Sequence, residues 1–79
     1  MYFVINSHTN SDGKQLINNV VACDNDYDIA RQYMKEYAFE SLREYKDAGI
    51  FKGIVERNDS ITIKVKYGTD YFEVRFINC

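Results

Sequence analysis

One segment limits what this chain can fold into. From Tyr27 to Ala48 there is neither Gly nor Pro, Asp24 and Asp26 stand before it, and Gly49 follows it. Acidic side chains at the front complement the helix dipole and supply an N-cap, and glycine ends a helix because it adopts left-handed backbone without a steric cost. The segment therefore predicts one helix of about 30 Å, at 1.5 Å per residue. At 100° per residue, Tyr27, Ala30, Met34, Tyr37, Ala38, Ser41, Leu42, Tyr45 and Ala48 share one broad face. That apolar stripe must lie on something, and only strands remain to receive it.

The flanking segments read as strands. Tyr2-Phe3-Val4-Ile5 is aromatic and β-branched, and the polar run Asn6 to Gly13 after it suggests a loop with a tight reversal at Asp12-Gly13. Leu16 to Cys23 makes a second strand, weakened by Asn18-Asn19. After Gly49, Phe51 to Arg57 forms a third strand that turns at Asn58-Asp59. Ile61, Ile63, Val65 and Tyr67 then alternate with Ser60, Thr62, Lys64 and Lys66, the period-2 signature of a half-buried strand. A turn at Gly68-Thr69-Asp70 leads into Phe72, Val74 and Phe76, alternating with Tyr71, Glu73, Arg75 and Ile77. The expected class is α+β, a single long helix on an antiparallel sheet in the order ββαβββ. Short turns make the pairing within each group antiparallel. How the first hairpin joins the later strands is not encoded in any local pattern.

Seventy-nine residues give one domain, residues 1–79, with a core that supplies only about 3–5 kcal/mol net. Seven Tyr, five Phe and no Pro favour a folded chain over a disordered one. The net charge of −2 argues against a general nucleic-acid binder, which is normally basic. The sequence shows no basic n-region with a long apolar stretch behind it and no run of about 20 apolar residues. With only Cys23 and Cys79, it reads as a cytoplasmic protein with reduced thiols. Asn58-Asp59-Ser60 matches a glycosylation sequon, and without a secretory signal it reads as a hairpin turn.

Chemistry is hard to assemble from these residues. His8 is the only histidine and falls in the expected polar loop, and a Cys-His nucleophile would need Cys23 or Cys79 to meet it. Two Cys and one His fall short of a structural zinc site. Asp24-Asn25-Asp26-Tyr27-Asp28 opens like a calcium loop, but Ile29 stands where that loop needs Gly and Lys35 where it needs Glu. Helix capping accounts for these carboxylates more simply, and an acidic patch for a basic partner is the other reading. Gly13, Gly49, Gly53 and Gly68 are isolated, so no phosphate loop exists. The expectation is a protein that is not an enzyme, uses no cofactor or metal, and works by binding.

Two surfaces could bind. Opposite the core stripe, Ile29, Tyr33 and Phe39 stand among Gln32, Glu36, Glu40 and Arg43, and aromatic groups beside Arg are typical of interface centres. A covering loop or plain scatter would explain them equally. On the outer sheet face, Lys64, Lys66 and Arg75 beside Tyr71 could meet phosphates and stack a base. Glu73 between them favours cross-strand charge pairing instead. Self-association through the helix or a sheet edge, giving a homodimer, is a further possibility, and Cys79 could crosslink two chains on oxidation.

The opening strand Met1-Tyr2-Phe3-Val4-Ile5, the polar turn, the second strand and the helix start at Asp26-Tyr27-Asp28-Ile29-Ala30 resemble a pattern of small phage and mobile-element proteins. Size and element order are similar to those of compact anti-CRISPR inhibitors. The resemblance spans the chain as an architecture and includes no residue-specific motif. It implies a stoichiometric inhibitor that binds a Cas effector in the bacterial cytosol and blocks target-DNA binding or cleavage. Because DNA-mimicking inhibitors are strongly acidic, the charge of −2 implies a mixed interface, using Ile29, Tyr33, Glu36, Phe39 and Arg43 with Asp24, Asp26 and Asp28.

Overall fold

In a computed structural model, which describes residues 1–78, the elements run β1 (Tyr2–Asn10), β2 (Gln15–Asp24), α1 (Tyr27–Asp47), β3 (Phe51–Glu56), β4 (Ser60–Val65) and β5 (Gly68–Phe76). All five strands pair antiparallel in one sheet, ordered β2-β1-β5-β4-β3, and the fold is α+β in the expected ββαβββ sequence. The first hairpin joins the later strands through β1 and β5, paired over nine positions from Tyr2↔Phe76 to Asn10↔Gly68. This puts the last strand in the middle of the sheet.

The helix ends follow from the sequence. Asp26 is the N-cap, with extended backbone (φ −92°, ψ 125°), and its carboxylate accepts the N–H of Asp28 at 2.8 Å and of Ile29 at 3.2 Å. At the other end, Gly49 (φ 74°) donates to the Lys46 carbonyl and Ile50 donates to Tyr45, each at 3.1 Å. That double closure is a Schellman cap, and it needs the left-handed conformation glycine provides.

One helix stripe meets one sheet face. Ala30, Met34 and Ala38, four residues apart, pack with Val4, Ile61, Ile63, Val65, Phe72 and Val74 as the buried core. The two alanines let the helix approach closely, and Met34 fills the space between them. Tyr2 fixes the helix N-terminal end, with its ring 5.5 Å from that of Tyr27 and 5.1 Å from that of Phe76. The expected stripe is too wide in two places: Tyr37 and Ala48 are exposed, while Tyr27, Leu42 and Tyr45 lie half-buried around the core.

The strand ends also differ from expectation. β1 continues through the polar residues to Asn10, so His8 lies in a strand opposite Asp70 and not in a loop. Pairing on both sides, with β2 and with β5, outweighs the weak strand preference of Asn, Ser and Thr there. The reversal lies at Ser11 to Lys14, where the Asn10 side-chain oxygen accepts the N–H groups of Asp12 and Lys14. Lys66-Tyr67, expected to extend β4, form the β4–β5 turn, and Gly68 to Asp70, expected as a turn, begin β5. Gly68 explains the shift. A Cβ there would sit 2.1 Å from the Thr9 carbonyl oxygen, so its place against β1 requires glycine. Cys79 lies outside the described residues.

Candidate functional site

The outer helix surface is organised differently from the predicted cluster of Ile29, Tyr33 and Phe39. Ile29 (42 % exposed) and Phe39 (38 %) are on the surface. Ten residues of helix, about 15 Å, separate them. Tyr33, expected between them, is instead half-buried against the core on the β2 flank. There it combines with Ala22, Glu36, Tyr37 and Glu40 to line a shallow groove of about 400 Å³ between the helix and β2. A second shallow groove, of about 540 Å³, surrounds Phe39 and is lined by Gln32, Lys35, Glu36, Glu40 and Arg43. Glu36 and Glu40 belong to both, so they form the ridge between the two grooves.

Charge is sorted across this surface. On the helical projection Glu36, Glu40 and Glu44 fall toward the β2 side, and Arg31, Lys35 and Lys46 toward the β3 side. The basic flank is partly committed: Arg31 Nε donates to the Asn58 carbonyl at 2.8 Å, and Lys46 Nζ lies 5.2 Å from the centre of the Phe51 ring. Among the described residues, the basic nitrogens within 4 Å of a carboxylate are those of Arg75 beside Glu73 and His8 beside Asp70, so Glu36, Glu40 and Glu44 have no basic nitrogen within that distance. The result is a carboxylate ridge between two shallow aromatic grooves, with Lys35 and Arg43 sharing the Phe39 side and Gln32 Nε2 donating to Glu36 at 3.4 Å.

The acidic segment before the helix is largely occupied with the backbone. Asp24 accepts the N–H of Asp26 at 2.8 Å, and Asp26 caps the helix. Asp28 is exposed in the first turn. The turn before the helix thus engages Oδ1 of Asp24, and the cap engages Oδ1 of Asp26.

The outer sheet face does not assemble the expected basic patch. Tyr71, Glu73 and Arg75 do share it with Lys64, through the Lys64↔Thr69 and Thr62↔Tyr71 pairs. Glu73 takes the charge of Arg75, and the Tyr71 hydroxyl donates to it at 3.4 Å. Lys66 is not on the face, because the turn carries it to the sheet end with its Nζ 5.5 Å from the Tyr67 ring centre.

A polar group under the helix was not anticipated. Asp70 is 4 % exposed on the core side of β5. Asn6 Nδ2 donates to its Oδ1 at 2.6 Å, the Tyr45 hydroxyl donates to its Oδ2 at 2.7 Å, and His8 Nδ1 lies 3.9 Å from Oδ1. Burial, and then the bond to Asp70, push the Tyr45 hydroxyl well above the usual tyrosine pKa. The signal was in the alternation: Tyr2, Val4, Asn6 and His8 share one face of β1, as Asp70, Phe72 and Val74 do on β5. Each carboxylate oxygen accepts one hydrogen bond, and the arrangement ties helix to sheet.

No family model, curated protein sequence or solved structure matches this chain. Among the described residues, no helix is long and apolar enough to cross a membrane.

Proposed function

We propose that this chain is a protein-binding domain without catalytic activity, acting as a stoichiometric inhibitor of a bacterial defence complex such as a CRISPR effector. The contact is the outer helix surface on either side of the Glu36–Glu40 ridge. One observation supports this reading: two grooves holding Tyr33, Tyr37 and Phe39 flank Glu36 and Glu40, which form no ion pair within 4 Å among the described residues. A partner's Arg or Lys would fit there, since an aromatic face and a carboxylate attract the same cation. Effector channels that hold nucleic acid are lined with such cations. An interface of about 800 Å² per partner would make a specific complex, and the mixed lining suits a surface that is not a plain mimic of DNA.

The test expresses the chain in bacteria that each carry one defence system and challenges them with a phage that the system targets. Restored plaque formation in one strain, lost with Glu36→Lys/Glu40→Lys, supports the reading. Unchanged protection in every strain, or a rescue indifferent to Glu36, Glu40 and Phe39, sinks it.

A further inference from the structure

The sheet has two edges of different character. β3 is a six-residue edge with a register shift near Gly53, and it carries Lys52 and Glu56. β2 is a ten-residue edge whose first six residues are all exposed. From Gln15 to Cys23 it holds no charged residue, in a chain that is 28 % charged. Leu16, Ile17 and Val20 along it are 55, 44 and 57 % exposed. Edge strands are normally protected by lysine, proline or inward charge, because their free N–H and C=O groups are a template for another strand. β2 has two register irregularities, near Val4/Ile5 and His8/Thr9, but the stretch Ile17 to Val20 between them pairs regularly with β1.

We propose that β2 pairs antiparallel with β2 of a second copy of this chain, around a two-fold axis at Asn18, joining two five-stranded sheets into one of ten strands. The absence of charge selects the second copy over an unrelated strand. Across a two-fold axis an edge meets its own sequence, so a charge near the centre faces its like, whereas this edge is neutral from Gln15 to Cys23 and carries its one charge, Asp24, at the far end. With Asn18 opposite its counterpart, Leu16 of each copy faces Val20 of the other. The most exposed apolar groups of the edge thereby cover one another, and the two asparagine amides can exchange hydrogen bonds. Both helices then lie on one face of the joined sheet. The inhibitor reading is independent of this pairing, and Glu36→Lys/Glu40→Lys leaves it intact.

Sedimentation equilibrium of the full chain, under reducing conditions and up to near-millimolar concentration, tests it. The expected result is twice the chain mass, reverting to a monomer in Val20→Lys and Leu16→Lys with unchanged circular dichroism. Asn18→Cys, with Cys23→Ser and Cys79→Ser, should give a covalent dimer on mild oxidation. A monomer at the highest concentration overturns the proposal, as does a dimer that neither lysine weakens or that Asn18→Cys fails to crosslink.

Discussion

The Tyr45 hydroxyl donates a 2.7 Å hydrogen bond to Oδ2 of Asp70, joining the last turns of the helix to the central strand. Asn6 holds the other carboxylate oxygen from β1. A buried carboxylate is costly without partners, so the three residues stand or fall as a unit. Asp70→Ala strands the Tyr45 hydroxyl in a half-buried setting and leaves Asn6 Nδ2 with the Tyr71 carbonyl at 3.1 Å as its remaining partner. It should cost about 3 kcal/mol in urea unfolding, since losing a bond to a charged group is worth ~1.5–3 kcal/mol before the orphaned hydroxyl is counted. A loss well below 1 kcal/mol would mean that water replaces the carboxylate without difficulty.

Alkaline stability should depend on the same hydroxyl. The unfolded tyrosine ionises near pH 10, and the folded pKa is raised by burial and by Asp70. The neutral form is thus favoured by folding. The associated stability is complete below about pH 10 and is lost as pH rises toward the folded pKa. Tyr45→Phe removes that dependence along with the bond. The variant should be less stable at pH 7 and should lose less than the parent between pH 9 and pH 12, as read by unfolding midpoints. Parallel losses in both proteins would assign the alkaline transition to another group.

Much of the fold was legible because helix and strands obey local rules. Asp26 and Gly49 mark the ends of a periodic segment, and Ile61 to Val65 and Phe72 to Val74 alternate cleanly. What escaped was decided at a distance. The polar half of β1 is a strand because β2 and β5 pair with it on both sides, which nothing in Asn6 to Asn10 announces. Tyr33 and Tyr37 exchanged roles because the stripe is centred on Ala30, Met34 and Ala38, and that centre depends on how the helix sits across the sheet. Of the candidate surface, the presence of Glu36, Phe39 and Arg43 was readable, but the groove needs Ala22 from β2 and so belongs to tertiary structure.

Gly68 should tolerate no side chain. Its positive φ and the 2.1 Å approach of a Cβ to the Thr9 carbonyl set β5 against β1 at the hairpin ends. The obstacle is backbone, so relief requires the strands to part. Gly68→Ala is expected to destabilise by about 2–4 kcal/mol, among the larger single-residue effects. Gly13→Ala, with a positive φ but nothing within 4 Å, should cost less. Equal losses for the two would show that conformation alone, and not the strand contact, sets the requirement.

Asp26 separates capping from recognition. Asn caps a helix about as well as Asp but carries no charge, whereas Ala does neither. Asp26→Ala should lower stability by about 1 kcal/mol, and Asp26→Asn by only a few tenths, in thermal or urea unfolding. If partner binding is also unchanged by Asp26→Asn, the acidic segment acts through the helix end. Weakened binding by a stable Asp26→Asn protein would instead place this carboxylate in the interface.

The ridge residues give the most direct test of the helix surface. Glu36, Phe39 and Glu40 are exposed, so replacing them should leave stability within about 0.5 kcal/mol of the parent. Their effect on a partner should be large and should differ by residue. Glu36→Gln and Glu40→Gln remove charge from the groove that holds Tyr33 and Tyr37, so each should lower affinity several-fold and reduce its dependence on salt. Phe39→Ala removes apolar contact from the neighbouring groove and should lower affinity with the salt dependence unchanged. Titration calorimetry against the captured partner at two ionic strengths distinguishes these signatures. If all three variants bind like the parent, the partner does not touch this face of the helix, and the uncharged β2 edge becomes the next surface to mutate.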